Sequence, residues 1–283
     1  MTEPGPTRPS PADVAASAPP TKQTGPLGRV DPAGGTPPGT PPRTLTKKGT
    51  LTVVAGLAGL IASLVVLGSI AEGVRDQEVF ALDTWATPFL HGIASTPLNA
   101  LMETFTTMGS SLVIVPAFIA IIAWLLLSRR FGAALFLTLA SGGALILNAS
   151  MKLFFQRPRP HLPWANVLPD YSFPSGHTMN GVVFYIAIAL IVWSIAGRRA
   201  GLLAMALAVT LAIGIGLSRI YLGYHYFTDV VGGLLAGTAW LLVLGAGFRA
   251  RPTLWPWGVP RATAAGGTAA MPPADAQRPG GSR

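Results

Sequence analysis

Residues 178–197 read TMNGVVFYIAIALIVWSIAG, a stretch without Asp, Glu, Lys or Arg that lies between His177 and Arg198. A helix that crosses the hydrocarbon core of a membrane needs about 20 mostly apolar residues. Helices on the surface of soluble domains instead alternate apolar and polar faces. The stretch is therefore predicted to be a membrane-spanning helix.

Five more stretches of similar length also lack acidic and basic residues: 49–71, 104–128, 131–151, 200–218 and 230–248. In the whole chain 50% of the residues are hydrophobic and 11% are charged, whereas a soluble domain carries about 25% charged residues. These observations predict an all-α fold, a bundle of six transmembrane helices over residues 47–250. Between the first two stretches, residues 83–91 have the pattern of an amphipathic helix that lies on the membrane.

The two ends of the chain differ from this central region. Residues 1–46 and 251–283 are rich in Pro, Gly and Ala. Such segments cannot bury enough apolar surface to offset the entropy lost on ordering. Both are predicted to be disordered tails.

Composition also excludes several classes of function. The formal net charge of +9 could indicate a nucleic-acid partner, but the basic residues form short clusters between apolar stretches rather than a continuous stripe, so no nucleic-acid partner is predicted. The chain contains no cysteine, which excludes disulfides, Cys-ligated zinc and thiol catalysis.

Basic residues predict the orientation, because cytoplasmic loops carry an excess of Lys and Arg. Four basic pairs fall on one side of the six-helix layout: Lys47/Lys48, Arg129/Arg130, Arg198/Arg199 and Arg249/Arg251. That side is interpreted as the cytoplasm, with both termini there, and the protein as one of a bacterial inner membrane. Lys152, Arg157 and Arg159 then lie on the outer side, against the rule. A bound phosphate would be one reason for three cations there.

Three clusters of polar residues fall on that outer side. They are Lys152–Pro160, Pro174-Ser175-Gly176-His177, and a third that contains Ser218, Arg219, His225 and Asp229. Their position on one side of the membrane predicts a single composite site on the extracytoplasmic face.

The residue types in these clusters suit phosphate chemistry. Lys and Arg donate hydrogen bonds to phosphate oxygens, and the start of a helix at Gly176 would present free N–H groups to an anion. His225 and Asp229 share a face if their segment is helical. The carboxylate would then fix the imidazole tautomer and leave the other nitrogen free to attack. His177 remains as the proton donor to the leaving alkoxide. This set requires no metal and no cofactor.

The same residues also have purely structural explanations. Lys152, Arg157 and Arg159 could be interfacial anchors whose stems lie along the lipid, and the histidines could be packed residues at helix ends. For His161 and Asp170, in the same outer loop, a plain surface position is favoured over a contact with a headgroup.

The spacing of the clusters resembles the three-part signature of the type 2 phosphatidic acid phosphatase superfamily. The signature is Lys, six residues, Arg-Pro; then Pro-Ser-Gly-His; then Ser-Arg, five residues, His, three residues, Asp, and every position matches between residues 152 and 229. The resemblance implies an all-helical membrane core and a metal-independent site with His225 as nucleophile, Asp229 as its orienting partner and His177 as general acid. It also implies that the phosphate is held by Lys152, Arg159, Ser175, Gly176 and Arg219. By spacing the signature takes Arg159, so Arg157 is expected to face lipid headgroups.

The expected function is hydrolysis of a lipid phosphate or diphosphate through a phosphohistidine, with membrane lipids as the surroundings of the site. Undecaprenyl or another isoprenyl diphosphate is the preferred substrate, because the outward-facing site would release that product on the outer side. Phosphatidic acid and phosphatidylglycerol phosphate are alternatives, as is a phosphotransferase. A protein that binds anionic lipid without turnover is the alternative from another class. The oligomeric state is left open.

Overall fold

The computed structural model of the protein describes residues 47–78, 80–165 and 168–250, and in the first helix it describes the side chains of residues 51 and 53–75. Within these ranges all regular secondary structure is α-helical. The predicted all-α class is thereby confirmed. The predicted disorder of residues 1–46 and 251–283 lies outside the described residues.

Seven helices follow one another along the described chain. They are α1 (Lys47–Arg75), α2 (Ala81–Gly92), α3 (Thr96–Met108), α4 (Ser111–Leu127), α5 (Phe131–Phe155), α6 (Gly176–Tyr221) and α7 (Phe227–Ala250). Four of the helices in the described ranges, α1, α5, α6 and α7, are long and apolar enough to cross a membrane. The pair α3 and α4 makes a fifth candidate if the two helices count as one bent span. The described residues thus contain four or five candidate spans, and the six predicted are not confirmed.

Part of the difference lies in α6, whose 46 residues combine two of the predicted stretches. Gly197 inside it has φ 81° and ψ −174°, a left-handed conformation that glycine adopts without steric cost. A β-carbon on Gly181 would lie 3.1 Å from Cδ1 of Ile215, although a straight helix would hold these residues about 50 Å apart. The chain therefore folds back at Gly197, and residues 176–196 run beside residues 198–221 in the opposite direction.

The predicted span over residues 104–128 is not one straight helix, and this is a correction: it is divided between α3 and α4. Helices α3 and α4 meet at an angle of 44° on either side of Gly109 and Ser110. A β-carbon on Gly109 would come within 2.6 Å of Cγ2 of Ile215, so only glycine fits this close approach. The Ser110 hydroxyl donates to the carbonyl oxygen of Thr107 over 2.7 Å, which stabilises the turn between the helices.

The core lies where α6 packs against α3, α5 and α7, while α1 packs against α7. The largest fully buried apolar side chains are Phe136, Phe173, Phe184, Leu125, Leu137, Met179, Ile215 and Ile220. Helix α2 contains the predicted segment 83–91 and packs on α6 and α7. This packing brings together the end of α5, the start of α6 and the junction between α6 and α7.

Candidate functional site

The chain turns sharply after α5 and carries two arginines toward α7. Gln156 ends the helix in a left-handed conformation, φ 45°, and its N–H donates to the carbonyl of Lys152 over 3.0 Å. Prolines follow Arg157 and Arg159 and favour extended backbone at both. In an extended chain, side chains two residues apart point to the same side. The guanidinium group of Arg157 accordingly reaches the start of α7, and that of Arg159 reaches the junction between α6 and α7.

Arg159 is a buried cation at the centre of the site, with 7% of its surface exposed. Its Nη1 donates to the carbonyl of Tyr224 over 2.6 Å and lies 3.1 Å from Nε2 of His225. Its Nη2 donates to Oδ1 of Asp170 over 2.7 Å. Lys152, in the last turn of α5, donates to the other carboxylate oxygen of Asp170 and to the carbonyl of Tyr171. Asp170 therefore joins Lys152 to Arg159.

The hydrogen bonds of His225 define its tautomer. Nδ1 lies 3.3 Å from Oδ2 of Asp229, and the ring is 1% exposed. A guanidinium can only donate and a carboxylate can only accept. Nδ1 therefore carries the proton toward Asp229, and Nε2 has the lone pair that faces Arg159. This is the arrangement predicted for a nucleophilic imidazole.

The reason for the spacing of His225 and Asp229 differs from the predicted one. Helix α7 begins at Phe227, so His225 precedes it and the pair does not lie on a helical face. Asp229 is the third residue of the helix, and its Oδ2 accepts the N–H of Tyr226 over 3.0 Å. An acidic residue at this position that bonds back to the preceding N–H is half of a capping box. The same carboxylate thus caps α7 and orients His225.

Arg157 does not face lipid headgroups, and that expectation was wrong. Its side chain is 11% exposed. Nη2 donates to Asp83 over 2.7 Å, and Nη1 donates to Asp229 over 2.6 Å and to the Thr228 hydroxyl over 2.8 Å. The guanidinium also lies over the ring of Tyr226, 4.2 Å from its centroid. Arg157 is held here because two buried carboxylates need a cation between them.

Asp83 supplies the second of these carboxylates from α2. Its Oδ1 accepts the N–H of Thr228 over 2.8 Å, and its Oδ2 accepts the Thr228 hydroxyl over 2.7 Å. The first N–H groups of a helix have no partner within the helix. Asp83 therefore provides one for α7 and ties α2 to the site.

Arg219, near the end of α6, is the third buried cation, with 4% of its surface exposed. Its Nη1 donates to the hydroxyl of Thr106 over 2.6 Å, and its guanidinium lies 4.4 Å from the centroid of the Tyr224 ring. Its carbonyl oxygen accepts the N–H of His225 over 3.2 Å. Among the described residues its buried Nε has no hydrogen-bond partner, which leaves a donor for an anion.

The start of α6 lies against the same group of residues. Ser175 precedes the helix and donates its backbone N–H to the carbonyl of Asp229 over 3.0 Å, while its buried hydroxyl accepts from Thr178 over 3.0 Å. Gly176 and His177 form the first turn and are partly exposed. His177 lies within electrostatic reach of Arg219 and His225. The first N–H groups of α6 are free of partners within their own helix.

Sequence reasoning missed three polar residues of the site: Asp83, Ser172 and Thr228. The Ser172 hydroxyl donates to Oδ2 of Asp229, and its N–H donates to the carbonyl of Arg157 over 2.8 Å. Asp170 was also assigned a plain surface position from the sequence, whereas its side chain bonds to Lys152 and Arg159. One signal was available: three cations on the predicted outer side call for counter-charges, and Asp83 and Asp170 are acidic residues predicted on that same side.

Burial lowers the pKa of His225 to about 4, although the hydrogen bond to Asp229 partly opposes the shift. Because the pKa is depressed, the ring stays neutral as the pH falls from 7 and gains a proton only near pH 4. In a protein labelled with ¹⁵N-histidine, the ring resonance that disappears in a His225→Ala variant should therefore titrate near pH 4. A midpoint near 6.5 would contradict the buried, neutral imidazole described here.

The chain is similar in sequence to known membrane phosphatases. A family model described as PAP2 superfamily matches residues 131–252. Phosphatidylglycerophosphatase B of Bacillus subtilis (strain 168) is 33% identical over 142 residues, which are 50% of this chain and 70% of that protein. YbjG of Escherichia coli (strain K12), provisionally named an undecaprenyl-diphosphatase, is 32% identical over 136 residues, 46% of this chain and 65% of that protein.

A solved structure shares the fold. The crystal structure of a transmembrane PAP2-type phosphatidylglycerolphosphate phosphatase from Bacillus subtilis superposes with a TM-score of 0.59 at 25% identity, over 68% of this chain and 96% of that one. The range matched by the family model contains all eight residues that the signature assigned to the site. The chain therefore belongs to the PAP2 superfamily, among its integral-membrane lipid phosphatases.

Proposed function

We propose that this phosphatase removes the terminal phosphate of a membrane lipid through a phosphohistidine on Nε2 of His225, and that it needs no metal ion. The observation that carries the proposal is the position of the His225 ring between Asp229 and Arg159. The carboxylate keeps the proton on Nδ1, and the lone pair of Nε2 points toward a cation that can hold phosphate.

The reaction has two steps. Nε2 attacks the phosphorus, the bond from phosphorus to the leaving oxygen breaks with its electron pair on that oxygen, and His177 supplies a proton to it. Water then attacks the phosphorus and gives a proton to His177, and the N–P bond breaks. Inorganic phosphate leaves, and both histidines return to their first state.

The cations stabilise the charge that develops on the phosphoryl oxygens. Arg159 has a further task, because its Nη1 now lies 3.1 Å from Nε2 of His225. The incoming phosphate takes over that hydrogen bond, and the lone pair of Nε2 becomes free to attack. Arg219 offers its unpartnered Nε, and the first turn of α6 at Gly176 and His177 offers backbone N–H groups.

Two lipids are candidates for the substrate. An isoprenyl diphosphate such as undecaprenyl diphosphate fits a site that faces outward, and the name of YbjG supports it. Phosphatidylglycerol phosphate is supported by the phosphatidylglycerophosphatase that is 33% identical and by the related crystal structure. Both present a terminal phosphate to the same cations.

We also propose that the chain crosses the membrane six times, with both termini in the cytoplasm. In this layout residues 176–196 and 198–221 of α6 each form one span on either side of Gly197, and α3 with α4 forms one bent span. Arg198 and Arg199, which are exposed beside the turn, would then lie in the cytoplasm, and the site would lie on the opposite face.

A phosphate-release panel tests the proposal. The purified protein in detergent micelles with excess chelator is expected to release phosphate from at least one of undecaprenyl diphosphate, phosphatidylglycerol phosphate and phosphatidic acid. The same rate is expected after magnesium is added, because Lys and Arg supply the positive charge. Loss of activity in chelator, or release from none of the lipids, would overturn the proposed function.

A further inference from the structure

An exposed carboxylate lies on two of the cations that the proposed function assigns to the phosphate. The Asp170 side chain is 54% exposed, whereas those of Lys152 and Arg159 are 14% and 6% exposed. Oδ2 of Asp170 accepts from Lys152, and Oδ1 accepts from Nη2 and Nε of Arg159 over 2.7 and 3.1 Å. The Asp170 carboxylate thus occupies hydrogen-bond donors of Lys152 and Arg159 that a bound phosphate would need.

We propose that Asp170 is a charge filter, a displaceable anion that admits terminal phosphates and keeps out the phosphodiester headgroups of the surrounding lipids. The inference rests on the proposed function, since it takes Lys152 and Arg159 as phosphate-binding groups. It adds a specificity-determining residue that lies outside the three-part signature.

The argument compares two anions that exchange at the same cations. A phosphodiester carries one negative charge, the same as the carboxylate, so exchange gains little Coulomb energy. The carboxylate is also tethered, which gives it a high effective concentration at the site. A phosphate monoester carries about 1.5 to 2 negative charges at pH 7, and a diphosphate carries more. Only a terminal phosphate therefore gains enough attraction to displace Asp170.

The location of Asp170 allows such an exchange. It lies outside the helices, in the segment between α5 and α6. Its carbonyl oxygen accepts from Nε of Arg159 over 3.0 Å, so the backbone remains attached while the exposed side chain rotates away. Burial disfavours the charged carboxylate, but the hydrogen bond from Lys152 and the charges of Lys152 and Arg159 outweigh it, and the pKa of Asp170 lies below its ordinary value. The filter is thus charged throughout the neutral range.

In a membrane, phosphodiester headgroups would compete with the substrate for Lys152 and Arg159. Diester headgroups surround the site in large excess over any lipid that ends in a phosphate monoester or diphosphate. Bare buried cations would attract these headgroups, because desolvated Lys and Arg bind phosphate oxygens strongly. With Asp170 bound to these cations, an abundant phosphodiester gains too little attraction to displace the carboxylate.

The alternative role for Asp170 is to position the two cations. The two roles predict opposite changes when the charge is removed. A positioning residue would raise KM on removal, because Lys152 and Arg159 would lose their orientation. A filter would lower KM, because the substrate would no longer compete with the carboxylate.

The test compares Asp170→Asn with the wild type in mixed micelles of phosphatidylcholine that contain increasing fractions of phosphatidylglycerol, an anionic phosphodiester. The variant is expected to show a KM for its lipid phosphate lower by about tenfold, the effect of removing one competing charged hydrogen-bonded contact. It is also expected to be inhibited by phosphatidylglycerol at fractions that leave the wild type unaffected. Asp170→Ser, which also removes the charge, should behave in the same way.

Asp76→Asn is the matched control. Asp76 is exposed, lies on the same predicted side of the membrane, and its side chain makes no ion pair among the described residues. Equal KM and equal inhibition in active Asp170→Asn and wild-type proteins, or a higher KM in the variant, would overturn the inference alone. An absence of phosphate release from the wild type would instead remove the proposed function, and the inference with it.

Discussion

Replacing His225 by alanine is expected to slow phosphate release from a lipid substrate by at least about a thousandfold, because the residue removed is the proposed nucleophile. Substrate binding should change little, since the cations proposed to hold the phosphate, Lys152, Arg159 and Arg219, remain. The measurements are kcat and KM on the lipid that the panel identifies. The wild type should also form a phosphoenzyme that is stable in alkali and labile in acid, and the variant should not.

His161→Ala is the control for this variant. His161 is exposed and lies in the segment between α5 and α6, away from the junction that carries His225, so its removal should leave the rate unchanged. Asp229→Asn adds a test of the tautomer. The carboxamide can donate to Nδ1, which would move the proton to Nε2 and remove the attacking lone pair. Full activity in His225→Ala would place the nucleophile elsewhere, and full activity in Asp229→Asn would refute the role of the carboxylate.

Replacing Arg157 by alanine is expected to give the second largest effect, on stability as well as on rate. Asp83 and Asp229 are almost fully buried, and Arg157 is the cation between them. Removing one partner of a buried ion pair costs about 3–5 kcal/mol. Thermal unfolding in detergent should therefore begin at a lower temperature. The kcat should fall because Asp229 loses a hydrogen bond that fixes its carboxylate beside His225.

Two comparisons distinguish the structural role of Arg157, as the cation between Asp83 and Asp229, from a direct contact with substrate. Arg157 has no assigned contact with phosphate, so KM should change much less than kcat, whereas Arg159→Ala should raise KM as well. Arg157→Lys keeps the charge but loses the planar fork that reaches both carboxylates, so an intermediate loss is expected. Arg75→Ala, at an exposed position at the end of α1, serves as the control. An unchanged unfolding temperature in Arg157→Ala would contradict the buried network.

The composite site was predictable from sequence because it depends on two local features of the chain, the charge-free stretches and the positions of the basic pairs. Charge-free stretches locate helices, and basic pairs orient them, so the amino-acid sequence alone places the clusters around Lys152, His177 and His225 on one side. The contacts between Arg159, His225 and Asp229 bring two of these clusters together in the fold. The packing of one helix on another is not a local feature. The bend in the predicted span over residues 104–128 lies at Gly109, where the chain approaches Ile215 of α6 closely.

The carboxylate partners of Lys152, Arg157 and Arg159 were not predicted, because these pairings also depend on how the helices pack. A bound phosphate would explain three outer cations, yet each of them already has a carboxylate partner in the fold. Asp83 and Arg157 are far apart in sequence, and nothing in the local pattern of α2 indicates which helix its acidic residue will meet. Likewise the spacing of His225 and Asp229 suggested a helical face, whereas the start of α7 between them provides the geometry.

The bonds from Asp83 to Thr228 have a consequence for biosynthesis. The two residues are 145 positions apart, and a nascent chain is delivered from its N-terminus. Asp83 and Arg157 can neutralise each other while the chain is still being inserted, but Asp229 and the cap of α7 arrive only with the last helix. Because His225 and Asp229 lie at and just before the start of α7, the site proposed above lacks its nucleophile and orienting carboxylate until α7 has been made.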